Sequence, residues 1–188
     1  MKNHQIASFV TCFVLVLSGL NLQAQIIFTR SAEITFFSEA PLENIEAVNN
    51  TATSVIDTEN NRLEFAALIR AFQFEKALMQ EHFNENYMES NSFPKATFKG
   101  QFSNVDEIDW SADGTYEVTV SGDLNIHGVT HNITAPGTIQ ITNGLVNANS
   151  VFTVAVADYG IEIPNVVKDN IAKEVEIRVN VDYQPLEQ

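Results

Sequence analysis

The sequence predicts an all-β fold of about eight antiparallel strands, closed into a barrel or packed as two sheets, with one short helix in the 75–90 region. Three observations carry this reading. Apolar and polar residues alternate over long stretches. The cleanest sets Tyr116, Val118, Val120, Gly122, Leu124 and Ile126 against Glu117, Thr119, Ser121, Asp123 and Asn125. Turn-forming pairs punctuate these stretches, Asn143-Gly144 most strongly. Several alternating runs also exceed the usual five or six residues of a strand, and long strands curling around one dry interior favour the barrel over the sandwich.

Residues 1–24 read as a cleaved export leader. Lys2 supplies a positive start, Ile6–Leu20 is apolar and free of acidic residues, and Leu22-Gln23-Ala24 ends on a small residue. The apolar run is shorter than the roughly 20 residues of a membrane span. The expected location is therefore the periplasm or the exterior, with no stable membrane insertion. The only cysteine, Cys12, lies in this run, so residues 25–188 form a single domain with neither a disulfide nor a thiol nucleophile. The chain is acidic, with a formal net charge of −14. That balance repels nucleic-acid phosphates and anionic headgroups and suits a soluble surface.

In chain order, Gln25–Arg30 is a first short strand, and Ala32–Ser38 alternates with Ile34 and Phe36 on one side and Phe37 on the other. Pro41–Asn50 is a polar connection whose Leu42, Ile45 and Val48 allow one helical turn. Thr51–Asp57 reads as a strand, and Asn60 and Asn61 mark a turn. Leu63, Phe65, Ala67 and Ile69 alternate, but Phe72 and Phe74 fall on the opposite phase, which a bulge near Arg70 would explain.

The stretch Phe72–Phe102 holds the chain's densest run of phenylalanine. Glu75–Phe83 lacks Gly, Pro and β-branched residues, and Met79, Phe83 and Tyr87 recur at spacing four, one stripe of a short amphipathic helix. Pro94 ends the helix, and Ala96, Phe98, Gly100 and Phe102 alternate as a strand. An aromatic strand, a helix and a second aromatic strand suit the wall and lid of an apolar cavity.

Asp106–Asp113 is an acidic turn region closing on Asp113-Gly114, a hairpin signal. After the long strand through Ile126, Gly128 breaks the pattern. Ile133, Ala135, Ile139 and Ile141 continue it, with Pro136-Gly137 as a kink or bulge. Val146–Val156 is a strand, Asp158–Ile171 a loop with room for a helical turn at Val166–Ile171, and Val175–Tyr183 the last strand.

Reactive constellations are weak. His127 and His131 have a zinc-like spacing, but an extended strand holds such residues about 13 Å apart, so a hydrogen-bonded turn is the better reading and no metal is expected. A hydrolase would need Ser121 or Ser150 with His82, His127 or His131, yet no nucleophile elbow is present. Asp106, Glu107 and Asp109 read as a solvated loop. No catalytic residue and no cofactor are assigned. Asn49 and Asn132 stand in glycosylation sequons, which matter only in a host that glycosylates.

Longer motifs resemble a known family. Gly122–Thr130 reads GDLNIHGVT, Phe152-Thr153-Val154 is followed by Asp158–Pro164 (DYGIEIP), and Phe93–Gly100 reads FPKATFKG. Together these resemble the YceI-like polyisoprenoid-binding family, over most of residues 25–188. The R-D-x-H-L segment common in that family is replaced here by Ile69–Met79, IRAFQFEKALM. The resemblance implies a lipocalin-like barrel in an exported bacterial protein that binds a long-chain apolar small molecule, an isoprenoid or fatty-acid derivative, without catalysis. On that reading Phe36, Phe65, Phe72, Phe74, Met79, Phe83, Tyr87, Phe98, Phe102, Val118, Leu124 and Phe152 would contact the ligand. A structural module with a filled core is the alternative, then a hydrolase. A homodimer is left open.

Overall fold

The structure is a computed structural model and describes residues 26–40, 43–103, 108–164 and 172–185. Its strands are β1 (Ile26–Ser38), β2 (Ile45–Asp57), β3 (Arg62–Leu68), the short β4 (Gln73–Phe74), β5 (Lys95–Phe102), β6 (Gly114–Ile126), β7 (Val129–Thr142), β8 (Leu145–Ala155) and β9 (Glu174–Pro185). Among the described residues one α-helix, α1 (Ala77–His82), lies between β4 and β5. Neighbouring strands pair in the order β1-β9-β8-β7-β6-β5-β3-β2, and β1–β2 pairing closes the ring. The fold is therefore a closed eight-stranded antiparallel barrel, and the sandwich alternative falls.

The alternation read from β6 and β9 is the inward and outward alternation of the barrel. Val118, Val120 and Leu124 of β6 and Val181 and Tyr183 of β9 are buried, while Glu117, Asp123, Asn180 and Asp182 face water. The two ends of the barrel differ. At one end Ile27, Ile56, Ile139, Ile141, Val181 and Tyr183 fill the interior. The Tyr183 hydroxyl lies 2.6 Å from the Ser54 hydroxyl, which satisfies both buried groups. Burial pushes the Tyr183 phenol well above its ordinary range. At the other end, inward side chains surround open space.

Several local expectations need correction. The Gln25–Arg30 and Ala32–Ser38 stretches form one strand, β1, with pairing irregularities against β2 between Thr29 and Ile34. Most of Pro41–Asn50 is no connection, because β2 starts at Ile45. The polar Asn49 disguised it. This side chain is fully buried, donates through Nδ2 to Leu68 O at 3.0 Å, and accepts from the Thr51 amide and hydroxyl through Oδ1. It bridges the part of β2 between its pairings with β3 and β4. Such a buried side chain is not a glycan acceptor. The phase slip near Arg70 is a 3₁₀ turn, Ile69–Ala71, rather than a bulge.

Asp113-Gly114 is not a hairpin turn. Gly114 begins β6 opposite Ile141, whereas β5 pairs with β6 only from Phe102↔Val120 onward. The tight turn lies instead at His127-Gly128, within the His127–Thr130 stretch that the sequence reads as a turn. Its φ angles of 51° and 77° match those of Asn143-Gly144 at 52° and 76°, the geometry of a type I′ hairpin. At Pro136 the β6–β7 register runs unshifted, so no bulge is present. Pro136 instead marks where β7 and β8 part, since their pairing starts at Gly137↔Ser150. Asp106, Glu107 and the Val166–Ile171 turn lie outside the described residues.

Candidate ligand-binding site

The open end of the barrel holds a cavity of about 550 Å³. Its walls come from both halves of the chain. On one side, β3 supplies Phe65, β5 supplies Phe98 and β6 supplies Leu124; on the other, β8 supplies Phe152 and β9 supplies Val175, Ile177 and Val179. Four phenylalanines cluster at the mouth. The Phe36 ring stacks on Phe83 with centroids 5.4 Å apart, and Phe72 and Phe74 lie 5.8 and 5.0 Å from Phe83.

The segment between β4 and β5 builds that cluster. Helix α1 passes directly into a π-helical turn, Phe83–Tyr87, in which the Met88 amide donates to Phe83 O at 2.9 Å. The wider turn brings Met79, Phe83, Tyr87 and Met88 all to the cavity, where a regular helix would rotate Met88 away. Burial raises the Tyr87 phenol above its ordinary range. The charged groups of the wall, Glu43 and Lys76, form an ion pair at the mouth, beside the exposed His82. Glu43 holds the Lys76 ammonium above its usual range.

The gap between β7 and β8 is filled by a 3₁₀ turn, Val156–Tyr159, which ends at Gly160 with φ 69°. Val156 and Tyr159 from this turn also face the cavity. Both histidines of the His-x-x-x-His motif hold it in place. His131 Nε2 lies 2.9 Å from Asp158 O and its ring packs edge-on to Tyr159. His127 Nδ1 lies 3.3 Å from Tyr159 O, and its Nε2 lies 3.0 Å from Glu89 Oε2. Their partners are the successive backbone carbonyls of Asp158 and Tyr159 and the Glu89 carboxylate. Ser121 Oγ lies 2.9 Å from Thr134 Oγ1, and Ser150 Oγ donates to Pro136 O at 2.6 Å. The hydroxyls of Ser121 and Ser150, both ring nitrogens of His127 and Nε2 of His131 are thus engaged elsewhere.

Of the residues singled out by sequence, Phe36, Phe65, Phe72, Phe74, Met79, Phe83, Tyr87, Phe98, Leu124 and Phe152 line the cavity. Phe102 and Val118 do not. Both are buried toward the packed end, where Phe102 lies 5.9 Å from Trp110. Sequence reasoning weighted aromatics and so missed most of the aliphatic wall, including Ile34, Ile133, Val154, Val175, Ile177 and Val179. The signal was present, because each sits on the dry phase of an alternating strand.

A closed eight-stranded barrel, hollow and apolar at one end, defines a lipocalin-type fold. The chain matches the YceI-like domain model over residues 25–183 and belongs to that family. No curated protein sequence matches it. Among solved structures it is similar to a polyisoprenoid binding domain from Saccharophagus degradans implicated in plant cell wall breakdown, at 14% identity and a TM-score of 0.74, over 87% of this chain and all of that one. It is also similar to BcnA from Burkholderia cenocepacia, at 14% identity and a TM-score of 0.66, over 81% of this chain and 96% of that one. The Campylobacter jejuni YceI protein aligns over the full length of both chains at 14% identity and a TM-score of 0.52. At such identities the likeness is one of fold.

Proposed function

We propose that this chain is an exported, non-enzymatic carrier that holds one long apolar chain, of isoprenoid or fatty-acyl type, inside its barrel. The observation that carries the reading is the 550 Å³ cavity, walled by apolar side chains with its charged groups confined to the mouth. Each methylene moved from water into such a space contributes about 0.8 kcal/mol, so a long tail binds tightly with few polar contacts. The polar end of the ligand rests at the mouth near Glu43, Lys76 and His82. The leader at residues 1–24 supports export to the periplasm or beyond. Membership of a family whose relatives include a polyisoprenoid binding domain supports the class of ligand. The alternative of a filled core does not fit a barrel with this much internal space.

The test is native mass spectrometry of purified residues 25–188, with organic extraction of the same preparation. A co-purifying lipid, or stoichiometric uptake of isoprenoid or fatty-acid probes, is the expected result. A protein that carries nothing and takes up neither probe would overturn the reading.

A further inference from the structure

We propose that the polar end of the ligand is an uncharged oxygen acceptor, such as the carbonyl of an ester or amide, and that the hydroxyls of Tyr87 and Tyr159 bind it. The inference rests on the carrier reading and adds the chemistry of the ligand's head and the two groups that recognise it. The chain has four tyrosines. The two outside the cavity are satisfied within the protein: the Tyr183 hydroxyl pairs with that of Ser54 at 2.6 Å, and the Tyr116 hydroxyl donates to Ala112 O at 3.1 Å. Tyr87 and Tyr159 both line the cavity, and neither hydroxyl has a hydrogen-bond partner among the described residues. The contrast is sharpest at Tyr159, which is only 3% exposed, because a buried phenol ordinarily finds a partner. Tyr87 ends the π-helical turn and Tyr159 the 3₁₀ turn, and His127 joins those two segments through Glu89 and the Tyr159 carbonyl.

The charges of the wall decide what the hydroxyls can hold. Lys76 is the one lysine or arginine among the described residues that line the cavity, and it is already paired with Glu43 and stands next to Glu75. A carboxylate or phosphate drawn among apolar side chains without a cation loses its hydration uncompensated. A neutral carbonyl needs only donors, and its oxygen has two lone pairs, enough for both phenols. Burial raises both phenols above their ordinary range, with Asp158 adding to the effect at Tyr159, so both stay protonated and able to donate.

The experiment measures binding of one long saturated tail to delipidated residues 25–188 at pH 8. The tail carries in turn a methyl ester, a primary amide, a carboxylate and no head at all. The ester and the amide should bind more tightly than the carboxylate. Tyr87→Phe and Tyr159→Phe, which remove only the hydroxyls, should each weaken the ester and the amide about fivefold and leave the plain alkane unchanged. Because neither hydroxyl is bonded within the protein, both variants should melt without lipid no lower than the wild type. Ester and amide affinities that stay fixed in both variants, a loss shared equally by the alkane, or a carboxylate that binds tightest overturns the proposal. So does a lower Tm of both lipid-free variants, which would place the hydroxyls in the protein's own packing. Absence of binding by every probe, the alkane included, overturns the carrier reading itself and this one with it.

Discussion

Phe83 joins sequence, packing and site in one side chain. It starts the π-helical turn, touches three other phenylalanine rings and faces the cavity. It is also only half-buried, so the barrel does not rest on it. Phe83→Asp places a carboxylate against the space where an apolar chain would lie, at a cost of several kcal/mol to the bound state. Lipid affinity should fall at least about a hundredfold while the β-rich far-UV signal survives. Equal loss of both would make Phe83 a core residue only. Tyr183 tests the packed end. Its folded-state pKa lies above the unfolded value of about 10, so its contribution is intact below pH 10 and declines as pH rises from there toward the folded value. Alkaline titration should lower stability by up to about 1.4 kcal/mol per pH unit in that window. Tyr183→Phe should remove that slope and, by leaving Ser54 unpaired, cost about 1 kcal/mol at neutral pH in denaturant melts.

At the scale of elements, the two tight hairpins form a matched pair with unequal surroundings. Gly128 and Gly144 share a left-handed backbone, but a Cβ on Gly128 would stand 2.5 Å from the Phe93 ring, whereas one on Gly144 meets nothing within 4 Å. Gly144→Ala should cost about 1–2 kcal/mol, the price of the left-handed conformation alone. Gly128→Ala should cost clearly more, because Phe93, packed on His127 at 4.4 Å, must move as well. Equal costs by denaturant titration would mean that Phe93 yields freely. These elements also show what was legible. Strands β6 and β9 announced themselves because one face is dry and the other wet along their whole length. Strand β2 was missed at its start because its buried Asn49 is polar, satisfied by partners distant in sequence. Asp113-Gly114 misled because turn chemistry reports local backbone preference, while pairing register is set across the sheet. The helix was legible as a stripe, but its π-helical end was not, since no residue type there demands a widened turn.

For the whole molecule, the cavity couples ligand to stability. A ligand that binds only the folded barrel stabilises it by about 2.7 kcal/mol at a hundred times its dissociation constant. For a chain of this size that amounts to a rise in Tm of roughly 5–10 °C. Delipidated protein should therefore melt lower than lipid-loaded protein by about this margin in calorimetry, and an unchanged Tm at saturation would rule out ligand inside the barrel. The aromatic half of the wall was readable because it is concentrated within Phe72–Phe102. The aliphatic half was legible only as dry-phase positions, because ring closure, a property of the complete sheet, is what brings β8 and β9 round to face β3 and β5.

The pairing of the first and last strands has a practical consequence. Ile27 stands opposite Pro185, so both ends of the barrel's chain emerge side by side at the packed end, away from the mouth. A surface, tag or fused domain attached at either end would hold the barrel like a cup by its base, with the rim left clear. Fusions made there should load lipid as the free domain does, and the same insertion placed in the β1–β2 connection should obstruct it.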